Sequence, residues 1–78
     1  SDLLGVSLYP NPTNGLLNIN TTVFDGYTVE VVDMIGKTVL ANRANGNSTI
    51  DLRGQSKGVY AVRISSAHGS TVERVTLD

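Results

Sequence analysis

Apolar residues recur at every second position through most of this chain, in short runs separated by turn residues: Leu17 and Ile19; Val29 and Val31; Ile50 and Leu52; Tyr60, Val62 and Ile64; Val75 and Leu77. A period of two sends alternate side chains to opposite faces of a strand, so each run has one apolar and one polar face. A one-residue slip would bury Asn18, Glu30, Asp51, Arg63 or Thr76 instead, which fixes the register of five strands. The runs return at intervals near the roughly 8 to 12 residues typical of all-β sandwiches, and no segment keeps a helical period long enough to compete. The pattern predicts seven strands, over residues 3–9, 16–21, 27–33, 37–42, 48–52, 58–65 and 71–77. Register is weaker in the first, where Leu3, Leu4, Val6 and Leu8 do not alternate strictly, and in the fourth, where Val39, Leu40 and Ala41 run together. Two antiparallel sheets packed face to face, immunoglobulin-like in architecture, are the simplest way to bury one face of each strand.

The connections carry their own chemistry. Asn14-Gly15, Asp25-Gly26, Asn45-Gly46 and His68-Gly69 each put glycine where a reversal needs positive φ. Asp33 to Lys37, "DMIGK", suits a short hairpin with Gly36 in the left-handed region beside a bulge; Met34 and Ile35 then form an exposed tip or fold back onto the core. "LYPNPTNG" is a harder stop. Pro10 and Pro12 lack backbone donors and push Tyr9 and Asn11 toward extended conformations, so the ladder lapses, and Asn14-Gly15 lets the chain reverse into the next strand. The stretch reads as a rigid corner.

At 78 residues the chain is one domain, and a domain of this size buries only about 60% of the surface of its unfolded chain. With no cysteine and no Cys/His cluster, packing and ladders must hold a thin core unaided. Six Lys+Arg against seven Asp+Glu, with no run of like charge longer than two, remove the electrostatic case for nucleic acid or an anionic membrane as partner. No apolar stretch approaches the roughly 18 residues of a membrane span. The start, Ser-Asp-Leu-Leu-Gly, has no basic n-region, so export of this domain would rely on a signal elsewhere in a longer chain.

Catalytic and ligand chemistry finds little support. His68 sits at a predicted hairpin tip with no serine and carboxylate aligned on it, and reads as a solvated turn residue. Asp25, Asp33 and Asp51 fall at turns or outward positions that suit capping and Asx-turn roles, and no loop has the alternating oxygens of a calcium site. No glycine belongs to a phosphate-cradling motif. The triplets Asn20-Thr21-Thr22 and Asn47-Ser48-Thr49 match the glycosylation pattern by chance in a chain rich in Asn and Thr. A ligand cavity of roughly 300 Å³ would be hard to spare from so thin a core. The residues point to no enzyme, no cofactor and no metal.

Taken in order, the motifs resemble a known family. Tyr9-Pro10-Asn11-Pro12 with Gly15, "VEVVDMIGKTV" at Val29 to Val39, Ile50-Asp51-Leu52, "GVYAVRI" at Gly58 to Ile64 and "ERVTL" at Glu73 to Leu77 together resemble the C-terminal sorting domain of proteins exported by the type IX secretion system of certain gram-negative bacteria. The resemblance spans Leu8 to Leu77. It implies a seven-stranded β-sandwich at the C-terminus of a cargo protein, a signal rather than a catalyst, which directs the cargo from the periplasm across the outer membrane to the cell surface or beyond. The implied partners are the type IX translocon and outer-membrane shuttle proteins. A sortase-like surface peptidase commonly removes such domains and joins the cargo to a surface lipopolysaccharide, and some members keep the domain. The family often ends in a basic or mixed basic-apolar tail, whereas this chain ends Thr76-Leu77-Asp78.

A sorting signal must be read on many cargoes, so its recognition elements belong to its own fold. The last strand, Thr71 to Leu77, is the obvious element, able to pair with a partner strand or a second copy along its edge. The recognition candidates are Gly58, Tyr60, Arg63, Glu73, Arg74, Val75 and Leu77: Val75 and Leu77 anchor the strand, Arg63 and Arg74 point outward, and solvated edge charge is the plain alternative for either arginine. Pro10, Asn11, Pro12, Gly15, Asp33, Gly36 and Lys37 are expected to shape the corner and the hairpin. Two other classes compete. An adhesion or carbohydrate- or protein-binding module would need an aromatic platform, for which Tyr9, Phe24, Tyr27 and Tyr60 are the only aromatic residues, Tyr60 being expected inward. An inert spacer is the third.

Overall fold

The alternating runs become seven strands in a computed structural model that describes residues 5–22 and 25–78. They are β1 (Ser7–Tyr9), β2 (Leu16–Asn20), β3 (Tyr27–Val32), β4 (Thr38–Ala44), β5 (Ser48–Asp51), β6 (Gly58–Ser66) and β7 (Gly69–Leu77). A three-stranded sheet runs β1-β2-β5 and a four-stranded sheet β4-β3-β6-β7, with every strand pair antiparallel. Among the described residues no helix is long and apolar enough to cross a membrane.

The register follows the period-two reading. Leu17, Ile19 and Ile50 from the first sheet and Val29, Val31, Tyr60, Val62, Ile64, Val75 and Leu77 from the second form one buried cluster, with Leu52 just past β5. Each fully buried aliphatic side chain contributes about 1.5–3 kcal/mol relative to exposure, so this shared core is what joins the two sheets. Tyr27 has the inward parity of Val29 and Val31 and is wholly buried. Its hydroxyl donates to the Gly46 carbonyl at 2.6 Å and lies 2.9 Å from Ser48 Oγ, which satisfies the polar end of a core aromatic.

The two weak strands differ from expectation for identifiable reasons. β1 is short: Gly5 takes φ 79 and Val6 lies outside the strand, so pairing begins at Ser7, while Leu3 and Leu4 lie outside the described residues. In β4 the register slips between Val31, opposite Leu40, and Val32, opposite Thr38, so Val39 is the extra residue of a bulge. That bulge lets Val39 and Leu40, adjacent in sequence, both pack against the core. At the other end, Ser66 pairs with Gly69, so the β6–β7 ladder runs up to a two-residue loop, Ala67-His68, beyond the expected ends at 65 and 71.

Gly15, Gly26, Gly46 and Gly69 all have positive φ, as their turns require. Gly15 is the most constrained: at φ 142, a Cβ there would lie 2.4 Å from Arg53 Cγ. Its carbonyl accepts from the Leu52 amide at 2.7 Å, tying the start of β2 to the end of β5.

Candidate recognition surface

The proline corner is more than a stop. Both of its X–Pro bonds, Tyr9-Pro10 and Asn11-Pro12, are cis, and the segment runs alongside the outer edge of β7. Thr13 forms a parallel bridge with Leu77: the Thr13 amide donates to the Thr76 carbonyl and the Asp78 amide donates to the Thr13 carbonyl, each at 2.9 Å. Asn11 extends the clasp with its side-chain amide, donating from Nδ2 to the Arg74 carbonyl at 2.9 Å and accepting at Oδ1 from the Thr76 amide at 3.1 Å. Pro10 and Pro12 cannot donate, so within this segment Thr13 supplies the backbone donor and Asn11 the side-chain one.

Thr13 is the pivot. It is 1% exposed; its Oγ1 donates to the Leu16 carbonyl at 2.7 Å and accepts from the Gly15 amide at 3.1 Å. One residue therefore grips β7 through its backbone and the start of β2 through its side chain. The sequence reading missed it, because threonine after proline looks like ordinary turn composition.

This geometry corrects the expectation of a free terminal edge. The backbone groups of β7 that point away from β6 belong to alternate residues, and those of Thr76 are both taken by the corner, as are the Arg74 carbonyl and the Asp78 amide. The uncovered edge runs only from Ser70 to the Arg74 amide, which leaves less backbone for strand addition or for pairing of two copies. The same clasp fixes the position of Arg74.

The seven recognition candidates separate by burial. Tyr60, Val75 and Leu77 lie in the core, and the Tyr60 hydroxyl donates to the Ser56 carbonyl, the rim partner its inward ring needs. Gly58, Arg63, Glu73 and Arg74 are exposed. Glu73 shares the parity of Val75 and Leu77 but is exposed, opposite the buried Val62. Arg63 faces Val72 across the β6–β7 ladder and Arg74 faces Ala61, so the two arginines are diagonal neighbours on the outer face, a relation that separates residues by roughly 7–8 Å. Neither guanidinium has a side-chain partner among the described residues. Glu30 lies across β3–β6 from Arg63, and Val72, 60% exposed, completes the row.

The aspartates act as the turn reading expects. Asp33 Oδ1 accepts from the amides of Ile35 and Lys37, and Gly36 takes φ 89. Asp51 binds Arg53 in a two-pronged ion pair, Nε to Oδ1 and Nη2 to Oδ2, both 2.9 Å, and also accepts the Arg53 amide. That side-chain pairing holds the Asp51 carboxyl down to about 2. His68 is exposed, as expected of a hairpin tip, but its Nε2 lies 2.8 Å from Asp25 Oδ2, a contact that lowers the Asp25 pKa. Ser66 Oγ accepts from the His68 amide rather than meeting the ring, so the three residues do not form a hydrolytic relay. Among the described aromatic residues only Tyr9 is exposed, Phe24 lying outside the description, so no aromatic platform is visible for a carbohydrate-binding module.

A small two-sheet β-sandwich whose described aspartates serve its turns, with two exposed arginines side by side on one outer face, is the class that fold and surface define. The family model for the secretion system C-terminal sorting domain matches residues 7–78. No curated protein matches the chain. The chain belongs to the family of type IX secretion C-terminal sorting domains, which are sorting signals and not a catalytic family. Membership implies interaction with the type IX machinery and passage through the periplasm to the surface or outside.

Proposed function

We propose that the type IX translocon and its shuttle proteins read this domain on the outer face of β6 and β7, with Arg63 and Arg74 as the directional contacts and Val75 and Leu77 anchoring the strand beneath. One observation carries this reading. The Tyr-Pro-Asn-Pro corner clasps the β7 backbone at Arg74 itself, through Asn11, so the most distinctive motif in the chain fixes the backbone that carries an exposed arginine with no side-chain partner among the described residues. An inert spacer would use the clasp for stability alone and would tolerate charge reversal at Arg74. On this reading the domain accompanies its cargo from the periplasm across the outer membrane, after which a sortase-like peptidase removes it and joins the cargo to a surface lipopolysaccharide.

The test is export of a fluorescent protein carrying this domain at its C-terminus, in a bacterium with the secretion system. Arg74→Glu, at an exposed position, alters stability by only about ±0.5 kcal/mol but reverses the charge offered to a reader. The ratio of surface to periplasmic fusion is expected to fall at least about tenfold, since a mispaired charge across an interface costs more than 1.4 kcal/mol. Asn20→Glu, exposed on the other sheet, serves as the control, with thermal melts of both variants. Export of Arg74→Glu at the unmodified level would sink the assignment.

A further inference from the structure

A second surface is built from motifs that the arginine face does not use. The β3–β4 tip, Asp33 to Lys37, and the loop leading into β6 form the two walls of an open groove of about 410 Å³. Such a groove was not expected of so small a domain; it lies on the surface, outside the shared core, and so takes nothing from the packing. Both walls are fixed. On one side the Asp33 amide donates to the Lys37 carbonyl at 2.9 Å and the Gly36 amide to the Asp33 carbonyl at 3.1 Å, while Asp33 Oδ1 takes two more amides. On the other, the Gln55 amide donates to the Leu52 carbonyl at 3.0 Å and Tyr60 holds Ser56.

What the rigid tip displays is apolar: Met34 is 73% exposed and Ile35 87%. Turn tips ordinarily carry Gly, Asn, Asp or Ser. Lys37 and Lys57 stand on opposite walls, both exposed and neither paired among the described residues. The one acidic group in the lining, Asp33, has an oxygen committed to backbone amides, so a cationic excess sits in a chain whose formal charge is -1. Val59 belongs both to this groove and to the outer face of β6, which makes the groove continuous with the face that carries Arg63 and Arg74.

We propose that this groove is a docking site for a segment of the export machinery in which apolar side chains alternate with carboxylates, the apolar groups packing on Met34 and Ile35 and the carboxylates reaching Lys37 and Lys57. The partner's place in export rests on the sorting reading; its chemistry rests on the groove. A preformed site with fixed walls loses little ordering entropy on binding. Lys37 and Lys57 attract carboxylate at a range set by the Debye length, about 10 Å at 0.1 M salt, so the interaction weakens as salt rises.

The direct test is an amide chemical-shift titration of the domain with the capped pentapeptide Asp-Leu-Glu-Phe-Asp, beside Lys-Leu-Lys-Phe-Lys as control. Shifts are expected at Met34, Ile35, Lys37, Lys57 and Val59, with affinity falling several-fold between about 0.05 and 0.5 M salt. Lys37→Glu with Lys57→Glu is expected to bind about tenfold more weakly while melting like the unmodified domain. Equal shifts from the basic peptide, shifts centred elsewhere, or none at millimolar peptide would overturn the proposal. The second arm is the export fusion carrying Met34→Ser with Ile35→Ser, expected to lose at least about fivefold in surface display with its melt unchanged. Full display of that variant beside an exported unmodified fusion also overturns the proposal. Retention of the unmodified fusion in the periplasm would instead overturn the sorting reading and with it the partner's identity, and the titration still decides the site.

Discussion

Thr13→Val removes one oxygen and keeps the shape of the side chain, which makes it a clean probe of the corner. The Gly15 amide loses its acceptor at a buried residue, and an unsatisfied buried donor costs about 1–3 kcal/mol. The Leu16 carbonyl also loses its donor, but Leu16 is exposed and water can take that place. Against this, a methyl group in place of the hydroxyl gains up to about 0.8 kcal/mol of apolar burial. The expected net loss lies between about 0.2 and 3 kcal/mol and is centred on about 1.5 kcal/mol. Globular domains hold roughly 0.05–0.15 kcal/mol per residue, so a chain of 78 residues has about 4–12 kcal/mol in all, and the loss is plainly measurable. Urea melts of the two proteins give it directly, with an unchanged slope expected because the same surface is exposed on unfolding. Because the Asp78 amide hangs on the Thr13 carbonyl, hydrogen exchange at Asp78 should quicken more than at Val62. A Thr13→Val midpoint at or above that of the unmodified domain would show that the residue merely fills space and that the corner does not depend on its hydroxyl.

Tyr60→Ala is expected to cost about 3–5 kcal/mol, as for other large aromatic truncations, and Tyr60→Phe about 0.5–1.5 kcal/mol for the lost bond to Ser56; a cooperative, nearly unshifted melt for the alanine variant would mean that the ring is not part of the core. The Asp51–Arg53 pair makes a pH prediction. Asp51 titrates at about 2 in the folded domain, below the ordinary carboxylate value near 4, so its contribution is fully present above about pH 4 and is lost as pH falls from there toward 2. The difference in melting temperature between the unmodified domain and Asp51→Asn should therefore shrink over that window, and a difference that persists undiminished at pH 2 would contradict the assignment.

Local chemistry carried most of the architecture. A two-residue period assigns each side chain a face, and glycine after Asn, Asp or His marks where the chain must reverse, so the strands, the inward set from Leu17 to Leu77 and the outward arginines are all legible without coordinates. The fourth strand is the instructive exception, since a run of Val39, Leu40 and Ala41 is compatible with either register until the bulge opposite Val31 and Val32 resolves it. What the sequence does not encode is which distant segments share backbone hydrogen bonds, because every non-proline residue offers the same amide and carbonyl. The Thr13 amide finds the Thr76 carbonyl and the Asp78 amide finds the Thr13 carbonyl; side chains reach as far, with Asn11 and the Arg74 carbonyl 63 residues apart and His68 and Asp25 43 apart. Only the packing of one sheet on the other brings the proline corner to the edge of β7, buries Thr13 there and narrows the free strand to its Ser70 end. The groove under Met34 and Ile35 has the same origin, since its two walls come from loops that become neighbours only when β3 and β6 pair.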